Sequence, residues 1–125
     1  MNSSLVTSLE LSKRLKTLGV PQTSEFYWAN MDGWEVCTLG QMRGYVDEYF
    51  SAYLAGELGE ILPMKKIQIF NPNPSTTTHK EKWCAAFFDE DAECIRSRTY
   101  ADTMTEAMGL MLIYLLENNL LMLTK

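Results

Sequence analysis

The chain has little of the material from which most catalytic sites are built. Its 125 residues include one histidine, His79, and no side chain close to it in sequence could orient an imidazole as a base or a metal ligand. A solvated loop histidine is therefore expected, and a Cys–His dyad with Cys84 or Cys94 is the alternative. The motifs G-x-x-x-x-G-K-[ST], G-x-G-x-x-G and G-x-S-x-G do not occur. We expect no enzyme activity, no catalytic residue and no bound cofactor.

Cysteine is also scarce, and its spacing argues against disulfides and metal sites. The chain has an odd number of cysteines, Cys37, Cys84 and Cys94, which are widely separated and form no C-x-x-C pair. This pattern favours buried free thiols in a reducing compartment, and the spacing of zinc ligands is absent. The acidic run from Asp89 to Glu93 lacks the glycine and the distal glutamate of an EF-hand loop, so we expect a solvated turn and no metal.

Long apolar runs and basic runs are both missing. No stretch reaches the roughly 18 apolar residues that span a bilayer, and the first residues do not resemble a signal peptide, so we expect no membrane and a cytoplasmic location. The net charge of −5 argues against nucleic acid as a partner, because phosphate backbones require clustered cations. The cations of the first predicted helix, among them Lys13 and Lys16, are explained by the helix dipole and by solubility. The candidate basic stripe consists of Arg96 and Arg98, which share one face of a predicted strand, and of Lys66, which is expected on a neighbouring strand.

Three helices are predicted from apolar spacing and from end signals. Thr7 and Glu10 form a capping box at the start of the first helix, which carries a leucine stripe and ends at Gly19. A short second helix covers residues 54–62. The third helix, roughly Met104 to Asn118, is apolar on nearly all sides, which predicts the most buried element of the fold.

The strand signals predict an antiparallel sheet. Aromatic and β-branched residues on both sides of Asp32-Gly33 indicate a β-hairpin over 26–37. Further strands are predicted at three places: 65–70, 83–88 and 94–100. Residues 71–82 are predicted as an exposed loop, whereas 38–51 fit a helix or a loop. Together these elements predict a single α+β domain over 1–125, with an antiparallel sheet of about four to five strands packed against an N-terminal helix and a long buried C-terminal helix.

Aromatic side chains are concentrated between residues 27 and 53. Aromatic residues are enriched at binding hot spots and also fill cores, so both interpretations stay open. Trp28 and Phe50 are expected in the core. The candidates for partner binding are Tyr27, Trp34, Tyr45 and Tyr49.

The order of motifs resembles a known group of proteins. Its markers are Leu18 to Gln22, Ser24 to Trp28, Ala55 to Pro63, and Thr103 to Asn118 with its Thr-x-x-Glu-Ala start. In this order they resemble a family of small uncharacterised bacterial proteins from phage and prophage settings. The resemblance implies a shared fold more than a shared activity, and it supplies no catalytic residues. The segment from Trp83 to Leu116, a strand pair before an apolar helix, also resembles HicB-type antitoxin domains.

These observations predict a function by class. The first hypothesis is a non-catalytic intracellular protein–protein interaction module of phage or prophage origin, whose partner is another protein or a second copy of the chain. The alternative is a HicB-like antitoxin or a nucleic-acid-linked regulator, which a positive stripe across Lys66, Arg96 and Arg98 would favour. An exposed aromatic or methionine-rich patch would favour the first hypothesis. A deep pocket holding His79 or a cysteine would favour an enzyme.

Overall fold

The computed structural model describes residues 5–42, 48–71 and 83–123. Tyr45, His79 and nearly all of the predicted loop 71–82 lie outside these ranges. The helices are α1 (Leu9–Thr17), α2 (Ala55–Ile61) and α3 (Met104–Glu117). The strands are β1 (Phe26–Asn30), β2 (Trp34–Thr38), β3 (Tyr49–Ala52), β4 (Ile67–Phe70), β5 (Trp83–Asp89) and β6 (Cys94–Ala101). Short 3-10 turns cover Leu39–Gln41 and Met64–Lys66.

The described strands form two antiparallel sheets of three strands each: sheet one, in the order β2-β1-β3, and sheet two, in the order β4-β5-β6. The α+β class is confirmed, but the expectation of a single sheet of four to five strands is wrong. The difference arises from β3, which pairs with β1 from Ala29↔Tyr49 to Phe26↔Ala52 and completes a sheet begun by the predicted hairpin. Four residues are too few to show a clear alternation, so the pattern of 38–51 did not indicate a strand.

The other predicted elements of the described ranges are confirmed. The hairpin pairs β1 with β2, from Phe26↔Thr38 to Asn30↔Trp34, and Gly33 supports its turn with a φ of +109°, which glycine adopts readily. The strands over 65–70, 83–88 and 94–100 appear as β4, β5 and β6. The second and third predicted helices appear as α2 and α3.

The N-terminus of α1 is capped differently from the prediction. Ser8, and not Thr7, is the N-cap residue, and its Oγ accepts the Leu11 amide at 3.3 Å. The carboxylate that binds the Ser8 amide belongs to Glu106, whose Oε2 also accepts the Ser8 hydroxyl at 3.0 Å. Glu106 lies on the first turn of α3, so a residue distant in sequence takes the place that the capping box assigns to Glu10.

Thr7 is displaced from the cap because it joins α1 to β3 and β1. Its amide donates to the Tyr53 carbonyl at 3.0 Å, and its Oγ1 accepts the Tyr53 amide at 3.1 Å. The Trp28 indole Nε1 donates to the Thr7 carbonyl at 2.8 Å. Thr7 is fully buried, so these bonds satisfy polar groups that would otherwise be costly to bury.

The hydrophobic core is centred on α3. This helix packs against β5 and β6 of sheet two and against α1 and α2, and its Met111, Leu112 and Leu115 have no exposed surface. Helix α1 also contacts β3, so it links sheet one to the core. Within the described ranges, no helix is long and apolar enough to cross a bilayer.

Helices α1 and α3 approach each other closely at Gly109. A Cβ atom at this position would lie 2.4 Å from Leu11 Cδ2 and 3.3 Å from both Leu11 Cγ and Thr7 Cγ2. Because carbon atoms do not approach to 2.4 Å without strain, a side chain at Gly109 would force the helices or Leu11 to move. The missing side chain therefore allows the two helices to cross at this distance.

Candidate partner-binding surface

The four candidate aromatic residues fall into different environments. Tyr27 is buried, and its hydroxyl donates to the Gln22 carbonyl at 3.3 Å, so it offers little surface to a partner. Trp34 is half-buried and Tyr49 is 39% exposed. Tyr45 lies outside the described residues. Trp34 and Tyr49 are therefore the candidates that the structure places at the surface.

Trp34 and Tyr49 border a patch in which lysines of α1 lie over aromatic rings. Lys13 Nζ is 5.5 Å from the ring centroid of Trp34 and 5.9 Å from that of Phe50. Lys16 Nζ is 5.1 Å from the ring centroids of both Tyr49 and Phe50. We call Lys13, Lys16, Trp34, Tyr49 and Phe50 the aromatic–lysine patch. A cation within about 6 Å of a ring centroid is attracted by the negative face of the ring.

Sheet one and α1 together build the aromatic–lysine patch. Trp34 of β2 and Phe50 of β3 have ring centroids 5.7 Å apart. Lys13 and Lys16 are three residues apart on α1 and therefore point to the same side of the helix. The Lys16 ammonium also donates to the Tyr49 carbonyl at 3.0 Å. These contacts hold two flexible side chains in defined positions before any partner arrives.

The contacts with the rings hold the lysines but do not cancel their charge. On the same helix, Arg14 pairs with Glu117, with 3.3 Å between the guanidinium nitrogen and the carboxylate oxygen. In the part of the chain that the structure describes, neither Lys13 nor Lys16 has a carboxylate within ion-pair distance. Two fixed positive charges therefore stand on a protein whose net charge is −5.

Three members of the aromatic–lysine patch were not predicted as binding residues. Phe50 is expected in the core from its sequence context, but it is half-buried at the surface. Lys13 and Lys16 are explained from the sequence by the helix dipole, since nothing local shows that α1 lies against sheet one. The available signal is the three-residue spacing of the lysines on a helix that precedes an aromatic-rich hairpin.

A β-bulge divides the candidate basic stripe of β6. The pairing of β5 with β6 shifts register between Phe87 and Phe88, which leaves Arg96 as an extra residue out of phase with Arg98. Phe87 belongs to the core cluster, and Arg98 pairs with Ala86, whose side chain points to the opposite face of sheet two. The regular alternation from which Arg96 and Arg98 are expected on one strand face is therefore interrupted between them, and the basic stripe stays a prediction.

Arg96 reaches toward α3. Its guanidinium donates to the Asp89 carboxylate at 3.2 Å, and hydrogen bonds to Tyr114 and to Asp89 raise its pKa above the ordinary value. Lys66 is exposed in the 3-10 turn that precedes β4. Because Arg96 is engaged on the helix side, the three residues do not form the continuous row with Arg98 that a phosphate backbone would require.

Buried thiols and a buried phenol are not prepared for chemistry near neutral pH. All three cysteines are free, and burial raises the pKa of the Cys37 and Cys84 thiols. Cys94 is exposed, contrary to the expectation of a buried thiol. The Tyr53 hydroxyl donates to the Pro21 carbonyl, and burial raises the pKa of Tyr53 to about 12. Among the described residues, no group of three or more His, Cys, Asp or Glu side chains could hold a metal ion.

Comparison of the chain with protein-family models, curated proteins and solved structures finds no match. The resemblances to phage-associated bacterial proteins and to HicB-type domains therefore stay predictions from the sequence. Function has to be inferred from the surfaces of the chain, of which the aromatic–lysine patch is the most defined.

Proposed function

We propose that the protein is a non-catalytic interaction module that binds an acidic segment of a protein partner through the aromatic–lysine patch. The observation that carries this proposal is the placement of Lys13 and Lys16 over partly exposed rings, with no carboxylate of the described residues paired to either. The resemblance to phage-associated proteins leads us to place this interaction inside a bacterial cell.

The chemistry of the aromatic–lysine patch fits a peptide that combines carboxylates with apolar side chains. Each ammonium can donate to a carboxylate oxygen, and such charge-assisted bonds are stronger than neutral ones. The exposed parts of Trp34, Tyr49 and Phe50 offer apolar contact area, and aromatic residues are frequent anchors of protein interfaces. Because the contacts with the rings already restrict the lysines, binding loses less side-chain freedom than it would with unrestrained lysines.

A nucleic-acid-linked regulator is the second candidate. Rings beside lysines can also bind single strands, since bases stack on aromatic side chains and phosphates pair with ammonium groups. The aromatic–lysine patch has only two cations, however, and Arg96 of the candidate stripe is engaged with Asp89. We therefore favour the acidic peptide and treat single-stranded DNA as a competing probe.

The test is fluorescence anisotropy with three labelled probes: a synthetic peptide of alternating Glu and Leu, its Lys–Leu counterpart, and a single-stranded thymidine oligonucleotide. The wild-type protein should bind the acidic peptide, and binding should weaken as salt rises. The Lys13→Glu/Lys16→Glu variant should lose at least tenfold in affinity. The Lys65→Glu/Lys66→Glu variant carries the same charge change in an exposed turn and should bind as the wild type does.

Two results would overturn the proposal. One is equal loss of peptide binding in both double variants, which would indicate a general charge effect. The other is tight binding of the oligonucleotide with weak binding of the acidic peptide, which would favour the nucleic-acid-linked candidate. Circular dichroism spectra of the variants must match the wild type, and urea midpoints must show that each variant is fully folded under the assay conditions. This check is needed because reversing the charge of Lys16, in the last turn of α1, opposes the helix dipole by about 0.3–1 kcal/mol.

A further inference from the structure

The turn between β5 and β6 presents a concentrated negative charge. Asp89, Glu90, Asp91 and Glu93 lie within five residues. The Asp89 carboxylate is used inside the turn: it accepts the amides of Asp91 at 3.0 Å and Ala92 at 3.3 Å and pairs with Arg96. Asp89 therefore shapes the turn and is not available to a partner.

Three other carboxylates of this turn face solvent. Glu90, Asp91 and Glu93 are exposed, and within the described ranges none of them has a cationic side chain at ion-pair distance. The Glu93 amide donates to the Glu90 carbonyl at 3.3 Å, and Glu93 adopts a φ of +54°. The backbone of the turn is thus closed by its own bonds, and the three side chains are free to meet an external cation.

An apolar pair accompanies the acidic turn. Phe88 and Ile95 are partners across the β5–β6 ladder, and each is 40% exposed. Cross-strand partners lie side by side on one face of a sheet, so they form an apolar surface next to the carboxylates. The end of the β5–β6 hairpin therefore combines negative charge with exposed hydrocarbon and aromatic surface.

This combination is the chemical complement of the aromatic–lysine patch, which combines two ammonium groups with partly exposed rings. We propose that the acidic β5–β6 turn of a second copy docks on the aromatic–lysine patch, so that the chain associates with itself. The inference rests on the proposed function, since it names one acidic segment that the patch binds. In a twofold-symmetric dimer, the acidic turn of each protomer would dock on the aromatic–lysine patch of the other, so the contact would form twice. If each pair of protomers made only one such contact, the free turn and the free patch would allow longer assemblies.

The net charge of −5 per chain makes the association dependent on conditions. Two copies repel each other through their overall charge, whereas the local contact attracts through close opposite charges. Salt screens both interactions, with a screening length of about 10 Å at 0.1 M and about 3 Å at 1 M. Because the contact is built from exposed charges, we expect self-association at low salt that weakens strongly at 1 M.

This inference is tested by sedimentation velocity over a wide concentration range, at low and at high salt. The samples are the wild type and variants in which the charges of the patch or of the acidic turn are reversed. The wild type should shift to larger species as concentration rises. Lys13→Glu/Lys16→Glu and Glu90→Lys/Asp91→Lys should each stay monomeric. An equimolar mixture of the two variants should associate. The variant with glutamates in the patch keeps its acidic turn, and the variant with lysines in the turn keeps its basic patch, so each turn meets a patch of opposite charge. The Lys65→Glu/Lys66→Glu variant should behave as the wild type does.

The outcomes separate the two proposals. A wild type that stays monomeric at all concentrations, or a mixture of variants that fails to associate, would overturn the docking of the acidic turn. If the acidic synthetic peptide still bound the aromatic–lysine patch in that case, the proposed function would stand with a different partner. If the acidic peptide also failed to bind, both the docking of the acidic turn and the proposed function would be overturned.

Discussion

Gly109 offers a sharp test of the packing between α1 and α3. In Gly109→Ala, the new Cβ would lie 2.4 Å from Leu11 Cδ2, which is more than 1 Å closer than ordinary carbon contacts. Leu11 is itself buried and has little room to move. Overpacking of this kind typically costs about 1–3 kcal/mol, while replacing a helical glycine by alanine returns about 1 kcal/mol of helix propensity. We therefore expect a net loss of up to roughly 2 kcal/mol in the free energy of unfolding.

A double-mutant cycle removes the propensity term from this measurement. Leu11→Ala deletes the two Leu11 atoms that the new Cβ would meet, including the closest one, and leaves Thr7 Cγ2 at 3.3 Å. This substitution itself costs about 2–5 kcal/mol. In the Leu11→Ala background, Gly109→Ala should be neutral or stabilising, so the coupling between the two substitutions should be about 1–3 kcal/mol. With a urea m-value of about 1–3 kcal/mol/M, a coupling of this size shifts the denaturation midpoint by roughly 1 M.

Gly59 supplies the matched control for Gly109. It also lies in a helix, and its added Cβ would meet only Met108 Cε at 3.9 Å, an ordinary contact. Gly59→Ala should therefore stabilise the protein by up to about 1 kcal/mol through helix propensity. The packing argument fails if Gly109→Ala is as stable as Gly59→Ala, or if it costs the same with and without the Leu11 side chain.

The remaining predictions concern a cap, a buried phenol and the core. Glu106→Gln should lower the free energy of unfolding by about 1–2 kcal/mol, because its carboxylate accepts two hydrogen bonds from Ser8, whereas Glu10→Gln should change little in the same urea experiment. Burial raises the pKa of Tyr53 from 10.0 to about 12. The contribution of this shift to the free energy of unfolding is therefore complete below pH 10 and is lost as pH rises toward 12. In the Tyr53→Phe variant, urea midpoints should change less with pH between 10 and 12 than those of the wild type. Met111, which has no exposed surface, should not tolerate Met111→Asp, and a soluble variant with a cooperative melt would contradict its place in the core.

Local signals in the sequence predict the elements well where each element carries its own boundaries. Helix α3 has a capping threonine, since Thr103 accepts the Glu106 amide at 3.1 Å, and an apolar surface on nearly all sides. The hairpin of sheet one has its glycine turn at Gly33. These signals require no knowledge of distant residues, which is why they are reliable.

Features that depend on distant pairing are not visible in the sequence. The Glu106 side chain could have turned back to its own helix start, as in a capping box, but it binds Ser8, 98 residues away. In the same way, the short β3 gains its strand conformation by pairing with β1. Arg96 falls out of the regular alternation of β6 because a bulge interrupts the strand. In each case a tertiary contact decides between local alternatives that have similar energies.

The lysines of the aromatic–lysine patch have a competing structural explanation. Cations in the last turn of a helix stabilise it through the dipole, which would account for Lys16 of α1, and solubility would account for Lys13. Lys13→Gln/Lys16→Gln and Lys13→Arg/Lys16→Arg separate the two roles. Both a purely structural role and a binding role predict a small loss of stability for the glutamine variant and none for the arginine variant.

Only the binding role predicts a further difference between these variants. The arginine variant keeps both charges and can still lie over the rings, so it should bind the acidic peptide within a few-fold of the wild type. The glutamine variant should lose most of the binding while its urea midpoint falls only slightly. If the glutamine variant bound the acidic peptide as tightly as the arginine variant does, Lys13 and Lys16 would serve α1 and not a partner. The reason is that recognition of carboxylates depends on the positive charge, which only the arginine variant keeps.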